Sequence, residues 1–135
     1  MGNSAIAADR QSAFVESAIT GNTVRLKGGK TLKYIGVECY SPESSAPLSK
    51  LYGVHAQEFN QSLVGGKKIW VEWGPKLRDK QQRLLGYVFT EDGVFVNAEL
   101  LKAGHAKARI LVPNVRYADE FKKWASDARR MKKGL

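Results

Sequence analysis

Two carboxylates flank the only cysteine of the chain, in the segment GVECYSPESS over residues 36–45. Glu38 and Glu43 could bind a metal ion or direct a water molecule, because carboxylate oxygens are hard ligands and also proton acceptors. Ordinary charges of an exposed loop have the same appearance in a sequence.

The positive charge of the chain lies mostly in its second half. The 135 residues include 22 Lys and Arg against 13 Asp and Glu, a formal net charge of +9. Residues 1–64 contain six basic and five acidic side chains, and residues 65–135 contain sixteen and eight. This distribution favours polyanions such as nucleic acid or an anionic membrane surface, although a well-solvated exterior has the same composition.

The sequence excludes several kinds of site. One cysteine allows neither an intramolecular disulfide nor a Cys-based zinc cluster. GxSxG, P-loop, HExxH and dinucleotide-binding patterns are absent. No apolar run approaches the roughly 18 residues of a membrane helix. The start, with its SAIAA stretch, fits removal of an export signal and equally a frayed terminus, so the compartment stays open.

Residue patterning predicts one α+β domain over residues 14–135, after a disordered lead-in over residues 1–13. A Gly-Gly turn between two alternating stretches predicts a β-hairpin in residues 23–37. Further strands are predicted at 67–73, 84–89 and 94–96. Helices are predicted at 52–64, after a cap at Asn97, and at 115–133. Five strands with an inserted helix suit a small, partly open barrel of the OB type.

Eight segments occur in the same order as in staphylococcal nuclease-like, or thermonuclease, domains. They are ITGNTVRL, KYIGVE, SPE, YGVHAQEF, KKIWVEW, RDKQQRLLGYVF, GVFVNAELLKAGHAKA and ARRMKKGL. The chain resembles this family from about Val15 to Leu135. The resemblance implies a five-stranded OB-fold β-barrel with three α-helices, acting as a monomer. It also implies Ca²⁺-dependent hydrolysis of single-stranded or denatured DNA and of RNA.

The resemblance assigns a metal site to Asn22 and Glu38. Active members of the family bind the metal through two aspartates, which fall on these two positions. Glu38 keeps a carboxylate on a longer side chain, whereas the amide of Asn22 has no charge. We therefore expect reduced affinity for Ca²⁺.

The resemblance also assigns catalytic roles. Lys33 and Arg83 stand where the family has two phosphate-binding arginines, and Lys33 lacks the planar fork of a guanidinium. Glu43 takes the place of the water-activating glutamate if residues 39–40 form an insertion. Without that insertion, Ser41 falls at the position and no base is present.

Substrate contacts are predicted at Lys80 and Arg109. Lys80 matches a lysine that helps to hold the nucleotide phosphate in the family. Arg109 and Leu111 fall where the best-known member has two aromatic rings near the base, so the stacking surface is missing. A slow nuclease, a nucleic-acid-binding module without catalysis and a protein-interaction domain are the alternative functions.

Overall fold

The computed structural model describes residues 10–134. In this part of the chain seven strands and three helices follow one another. They are β1 (Arg10–Thr20), β2 (Thr23–Leu26), β3 (Thr31–Tyr34), β4 (Val37–Glu38), α1 (Pro47–Val64), β5 (Lys68–Arg78), β6 (Leu84–Thr90), α2 (Val96–Lys102), β7 (Lys107–Ala108) and α3 (Ala118–Arg130).

Five strands close a barrel in the order β1-β2-β3-β6-β5. Neighbouring strands are antiparallel, except for β3 and β6, which run parallel with Lys33 opposite Leu85. A separate two-stranded sheet pairs β4 with β7 and places Glu38 opposite Lys107. The predicted α+β class, a five-stranded barrel with three helices, is confirmed.

The predicted β2–β3 hairpin fills much of the barrel interior. Val24 and Leu32 are fully buried, and Tyr34 is 1% exposed. Gly28 and Gly29 form the turn with φ angles of 99° and 97°, which few residues other than glycine adopt. Burial of the alternating apolar side chains stabilises the packing of the hairpin on the rest of the core.

β1 begins inside the segment that was predicted to be a disordered lead-in. Residues 10–13 belong to this strand, and residues 1–9 lie outside the described residues. Val15 and Ala18 are the only buried residues of β1, so its sequence has little of the alternation that indicates a strand. Pairing with β2 and β5 stabilises β1 in place of a strong local pattern.

Glu72 is a buried carboxylate that joins distant parts of the chain. It is 1% exposed, and its Oε2 accepts a hydrogen bond from Arg10 Nε at 2.9 Å. Its Oε1 accepts hydrogen bonds from Arg116 Nη1 at 3.1 Å and from the Tyr117 hydroxyl at 2.7 Å. These partners compensate for the desolvation of the charge, which would otherwise be costly.

Residues 94–96 do not form the predicted strand. Phe95 makes only an isolated bridge with Phe89, and Val96 already begins α2. The fifth barrel strand is β1 instead. The short apolar run was ambiguous because it is too short for its period to distinguish a strand from the start of a helix.

Asn97 was predicted to cap α2, but Phe95 occupies the N-cap position instead. Its fully buried side chain accepts a hydrogen bond from the Val88 N–H at 2.9 Å and donates one to the Ile35 carbonyl at 2.8 Å. The amide therefore links β6 to the segment that leads into β4.

Two helices differ in length from the predictions. α1 begins at Pro47 instead of residue 52, because proline is tolerated in the first helical turn. α3 covers Ala118–Arg130 instead of 115–133. Among residues 10–134, no helix combines the length and the apolar character that crossing a membrane requires.

Candidate functional site

A cavity of about 120 Å³ opens between β3, β5 and the segment that follows β7. We term it the β3–β5 cavity. Its charged lining consists of three cations and two carboxylates: Lys33, Lys76, Arg109, Glu38 and Asp79. This lining combines charges from four separate segments of the chain.

Lys33 and Lys76 are positioned by backbone pairing. Lys33 lies in β3, opposite Thr23 of β2 and Leu85 of β6, so both neighbouring strands fix its backbone. Lys76 is held by the side chain of Asn114, which accepts a hydrogen bond from the Lys76 N–H at 2.9 Å and donates one to its carbonyl at 3.0 Å. This contact also docks residues 111–114 against β5.

Glu38 and Arg109 form an ion pair at the mouth of the cavity. Arg109 Nε lies 3.1 Å from Glu38 Oε1, and the Arg109 backbone N–H donates a hydrogen bond to the Gly36 carbonyl at 2.9 Å. The two side chains are 60% and 53% exposed. Solvent screens such a pair, so Arg109 can exchange this partner for a phosphate at little cost.

Asp79 holds Arg83 in the turn between β5 and β6. Its Oδ2 accepts a hydrogen bond from Arg83 Nε at 2.7 Å, and its Oδ1 accepts the backbone N–H groups of Arg83 and Gln81 at 3.0 Å and 2.9 Å. Burial raises the pKa of Asp79, but the hydrogen bonds and the charge of Arg83 outweigh this and leave the pKa below its ordinary value.

The cavity has more positive charge than its two carboxylates neutralise. Glu38 faces Arg109 and Asp79 faces Arg83, whereas Lys33 and Lys76 form no ion pair with any carboxylate between residues 10 and 134. Within the same range, the Nη atoms of both paired arginines make no hydrogen bond. A phosphate in the cavity would therefore meet the ammonium groups of Lys33 and Lys76 and the open guanidinium edge of Arg109, whereas Arg83 stands outside the lining beside Asp79.

Asn22 lies beneath the cavity and does not line it. It is 7% exposed, and its Nδ2 donates to the Val37 carbonyl at 2.8 Å. Its Oδ1 accepts hydrogen bonds from the hydroxyls of Thr20 and Thr23 at 2.9 Å and 3.3 Å. Because Val37 directly precedes Glu38, this amide helps to fix the position of β4.

Comparison with known proteins identifies the family. The sequence model described as Staphylococcal nuclease homologue matches residues 31–135. The chain belongs to this family. It is 30% identical over 133 residues to the thermonuclease of Staphylococcus hyicus, a match that covers 95% of this chain and 77% of that protein.

Two relatives in Bacillus subtilis (strain 168) are longer proteins. The chain is 34% identical over 125 residues to the SPbeta prophage-derived endonuclease YokF and 37% identical over 115 residues to endonuclease YncB. The matches cover 87% and 80% of this chain. The chain spans only 41% of YokF and 53% of YncB.

The metal ion implied by the staphylococcal nuclease family does not fit the predicted donors as they are arranged. Calcium takes about six to eight oxygen ligands, whereas Asn22 and Glu38 offer one negative charge between them. Both side chains are already engaged, by two hydroxyls and by Arg109 respectively. Residues 10–134 contain no group of three or more His, Cys, Asp or Glu side chains that could hold a metal.

Five predicted positions of this staphylococcal nuclease homologue lie outside the cavity lining: Asn22, Ser41, Glu43, Lys80 and Arg83. Glu43 is exposed, and its backbone N–H bonds the hydroxyl of Ser41 at 3.0 Å. Ser41 and Lys80 are exposed as well. The cavity thus brings together Lys33, Glu38 and Arg109, with Arg83 attached through Asp79.

Lys76 and Asn114 are site residues that the sequence analysis missed. The signal that could have indicated Lys76 is the Gly74–Pro75 pair, which interrupts the alternation of β5. A Cβ at Gly74 would lie 2.7 Å from the Asn114 carboxamide, so glycine is required for this docking.

Cys39 has no catalytic partner in the site: burial and the charge of Glu38 raise its pKa to about 12, so the thiol stays protonated at neutral pH.

Proposed function

We propose that this staphylococcal nuclease homologue hydrolyses phosphodiester bonds of DNA or RNA in the β3–β5 cavity, at a reduced rate. The observation that carries the proposal is the excess of positive charge in the lining, where Lys33 and Lys76 are unpaired among the described residues and Arg109 has an open Nη edge; Arg83 stands next to the lining through its pair with Asp79. Relatives named thermonuclease and endonuclease support it. A phosphodiester is an anion, and its oxygens gain negative charge during attack.

The proposed step is a single displacement at phosphorus. The oxygen of a water molecule forms a bond to phosphorus while the bond to the leaving sugar oxygen breaks. A carboxylate accepts one proton from the attacking water, and a solvent water gives a proton to the leaving oxygen; the carboxylic acid then returns its proton to the hydroxide so formed. Lys33 and Arg83 neutralise the phosphoryl oxygens, and Arg109 and Lys80 bind the flanking phosphates.

Two carboxylates are candidates to accept the proton. Glu43 follows from the resemblance and requires the loop over residues 39–46 to turn its side chain toward the cavity. Glu38 follows from the geometry, because it already lines the cavity. Glu38→Gln and Glu43→Gln, measured separately, distinguish these assignments.

A reduced rate and an altered metal requirement are the finer part of the proposal. Asn22 stands in place of a carboxylate and Lys33 in place of a guanidinium, and removal of one charge-stabilising donor costs about 3 kcal/mol in a transition state. Ca²⁺ dependence is predicted by the resemblance, and Asn22 with Glu38 would be its ligands. As arranged, these donors do not fit the ion, because Asn22 and Glu38 are already engaged by two hydroxyls and by Arg109.

A nucleic-acid-binding module without catalysis is the second candidate function. It is favoured by the exposed position of Glu43 outside the cavity lining and by the engagement of both lining carboxylates with arginines. Such a module would bind single-stranded nucleic acid with an affinity that falls steeply as salt is added.

A fluorogenic single-stranded DNA substrate, assayed in parallel with Ca²⁺, Mg²⁺, Mn²⁺ and EDTA, tests the proposal. We expect detectable cleavage that falls about 100-fold in Arg83→Ala. Arg25→Ala, an exposed arginine on β2, serves as the control of equal charge and should retain the activity. Salt-sensitive binding without cleavage in every condition would establish the binding module instead, and equal cleavage by both variants would disprove the site.

A further inference from the structure

A second and larger cavity, of about 790 Å³, runs along α3 and takes no part in the proposed chemistry. We term it the α3 groove. Among the described residues, five cations line it and no Asp or Glu does: Lys107, Lys122, Arg129, Lys132 and Lys133. Its lining is thus more uniformly positive than that of the β3–β5 cavity.

The groove follows one face of α3. Lys122, Ala125, Arg129 and Lys132 are three or four residues apart, so their side chains lie on the same side of the helix and its end. Ala125 is 5% exposed, as is Ala128. These small side chains form a floor that lets an elongated ligand approach the helix, while the cations form the walls.

The charges of the groove are not neutralised by the protein. None of the five lining cations forms an ion pair with a carboxylate in residues 10–134. On the opposite side of the helix, by contrast, Lys123 and Arg130 both bind Asp127, at 3.1 Å and 2.8 Å. The helix therefore pairs its cations on one side and leaves them available on the side of the groove.

A small pocket of about 70 Å³ connects the groove with the proposed active site. It shares Glu38 with the β3–β5 cavity and shares Tyr40, Ala106 and Lys107 with the α3 groove. The three cavities are therefore neighbours along the surface. Glu38 and Lys107 lie opposite each other in the β4–β7 sheet, which fixes the connection.

Tyr40 presents an aromatic ring at the junction of the small pocket and the α3 groove. The residue is 38% exposed, and its ring packs 5.8 Å from that of Tyr52 on α1, measured between centroids. Lys107 Nζ lies 5.6 Å from the Tyr40 ring centroid. A partly exposed ring beside a cation is suited to stack a base while the cation contacts the adjacent phosphate.

We propose that the α3 groove binds single-stranded nucleic acid, with one base stacked on Tyr40 and the backbone leading past Lys107 into the β3–β5 cavity. The ring at Tyr40 would replace the stacking surface that is missing at Arg109 and Leu111. Tyr40 favours a single strand over a duplex, because paired bases do not expose a face for stacking. It also favours nucleic acid over an acidic peptide, because such a peptide need not have a planar group to stack. The path into the active site rests on the proposed function, whereas binding in the groove does not require cleavage.

The test measures binding of a fluorescein-labelled oligothymidylate of ten nucleotides in EDTA across a series of salt concentrations, with its integrity checked on a gel. Lys132→Gln/Lys133→Gln should weaken binding about fivefold and lower the slope of log affinity against log salt by about 1.4. Tyr40→Ala should weaken binding about tenfold at every salt concentration with an unchanged slope. Tyr40→Phe should bind like the parent chain.

Lys27→Gln/Lys30→Gln is the matched control, since both lysines are exposed on the β2–β3 turn and line none of the three cavities. It removes the same charge and should change the slope by less than the groove variant. An equal loss in both double variants would overturn the groove. A Tyr40→Ala chain with parental affinity, or displacement of the oligonucleotide by polyglutamate at equal charge concentration, would overturn its assignment to nucleic acid.

Cleavage of a dinucleotide, which is too short to reach the groove, separates this inference from the proposed function. We expect the groove variant to cleave the dinucleotide at the parental rate and the longer substrate more slowly. If the groove variants weaken binding as expected but no substrate is cleaved, the nuclease proposal is disproved and the groove is supported. If substrate is cleaved but no groove variant changes binding, the groove is disproved and the nuclease proposal is supported.

Discussion

Arg109 Nε lies 3.1 Å from Glu38 Oε1, so the cavity carboxylate that was assigned to a metal is bound to a guanidinium instead. Both side chains are more than half exposed. The pair therefore adds little to the stability of the fold. Its main effect is on the charge that an incoming phosphate meets.

Substitutions of the two partners should change oligonucleotide binding in opposite directions. Arg109→Ala removes a cation and should weaken binding in EDTA about fivefold, whereas Glu38→Gln removes the competing carboxylate and should strengthen it about threefold. Fluorescence anisotropy measures both affinities. The unfolding free energy should change by less than about 1 kcal/mol in each variant. Weaker binding by Glu38→Gln would show that the carboxylate supports the substrate rather than competing with it.

Asp79→Asn should destabilise the protein in a pH-dependent way. Because the pKa of the folded carboxyl is below its ordinary value of 3.8, the carboxylate stabilises the fold above that pH and loses the effect as the pH falls through the folded pKa. We expect a loss of about 1 kcal/mol at pH 7, and a smaller one at pH 2.5. Urea denaturation at the two pH values measures the difference, and an equal loss at both would contradict a role for the charge.

Gln82→Gly should stabilise the protein. Gln82 has a φ of 66°, which costs a residue with a side chain about 1 kcal/mol or more. The gain should raise the melting temperature by about 4 °C, as measured by thermal denaturation. Gln81, one residue earlier, has no positive φ. Gln81→Gly should therefore lower the melting temperature, because glycine there relieves no strain and only raises the conformational entropy of the unfolded chain. A rise in both variants would mean that flexibility of the turn, not relief of φ, is responsible.

The unfolding free energy should fall as the pH is lowered from 7 to 5. Burial of His105, with the charge of His55 as a second cause, lowers its pKa below the ordinary 6.5. The unfolded chain therefore binds a proton that the folded chain resists, and stability is lost as the pH falls below 6.5. His105→Gln should flatten this part of the profile in denaturant titrations.

His55→Gln is the control for the cause of this shift. It leaves the burial of His105 unchanged, along with its contact to the Phe59 ring at 4.7 Å. NMR titration should show a modest rise in the pKa of His105, because the second cause has been removed. No rise would assign the whole shift to burial.

The sequence predicted those parts of the fold whose local pattern matches their environment. The hairpin of β2 and β3 combines apolar alternation with two glycines in the turn, and both signals agree. β1 escaped detection because its stability comes from pairing on both sides and from the contact of Arg10 with Glu72. Neither of these long-range contacts produces a local pattern.

The site was predictable to the extent that it resembles the family. Lys33 and Glu38 were placed by their motifs, and they line one cavity. Lys76 could not be found in this way, because the docking of Asn114 on β5 brings it there. The ion pair between Glu38 and Arg109 was also hidden, since it depends on the pairing of β4 with β7.

The partners of Glu72 emerge from the ribosome at very different times. The last barrel strand, β6, is complete at Thr90, but Arg116 and Tyr117 leave the exit tunnel later. Of the side chains that hold Glu72 in the folded protein, only Arg10 is present in a chain that ends before Arg116. A chain that stops after α2 would enclose an undercompensated charge, which makes such a truncation product a ready substrate for quality-control proteases.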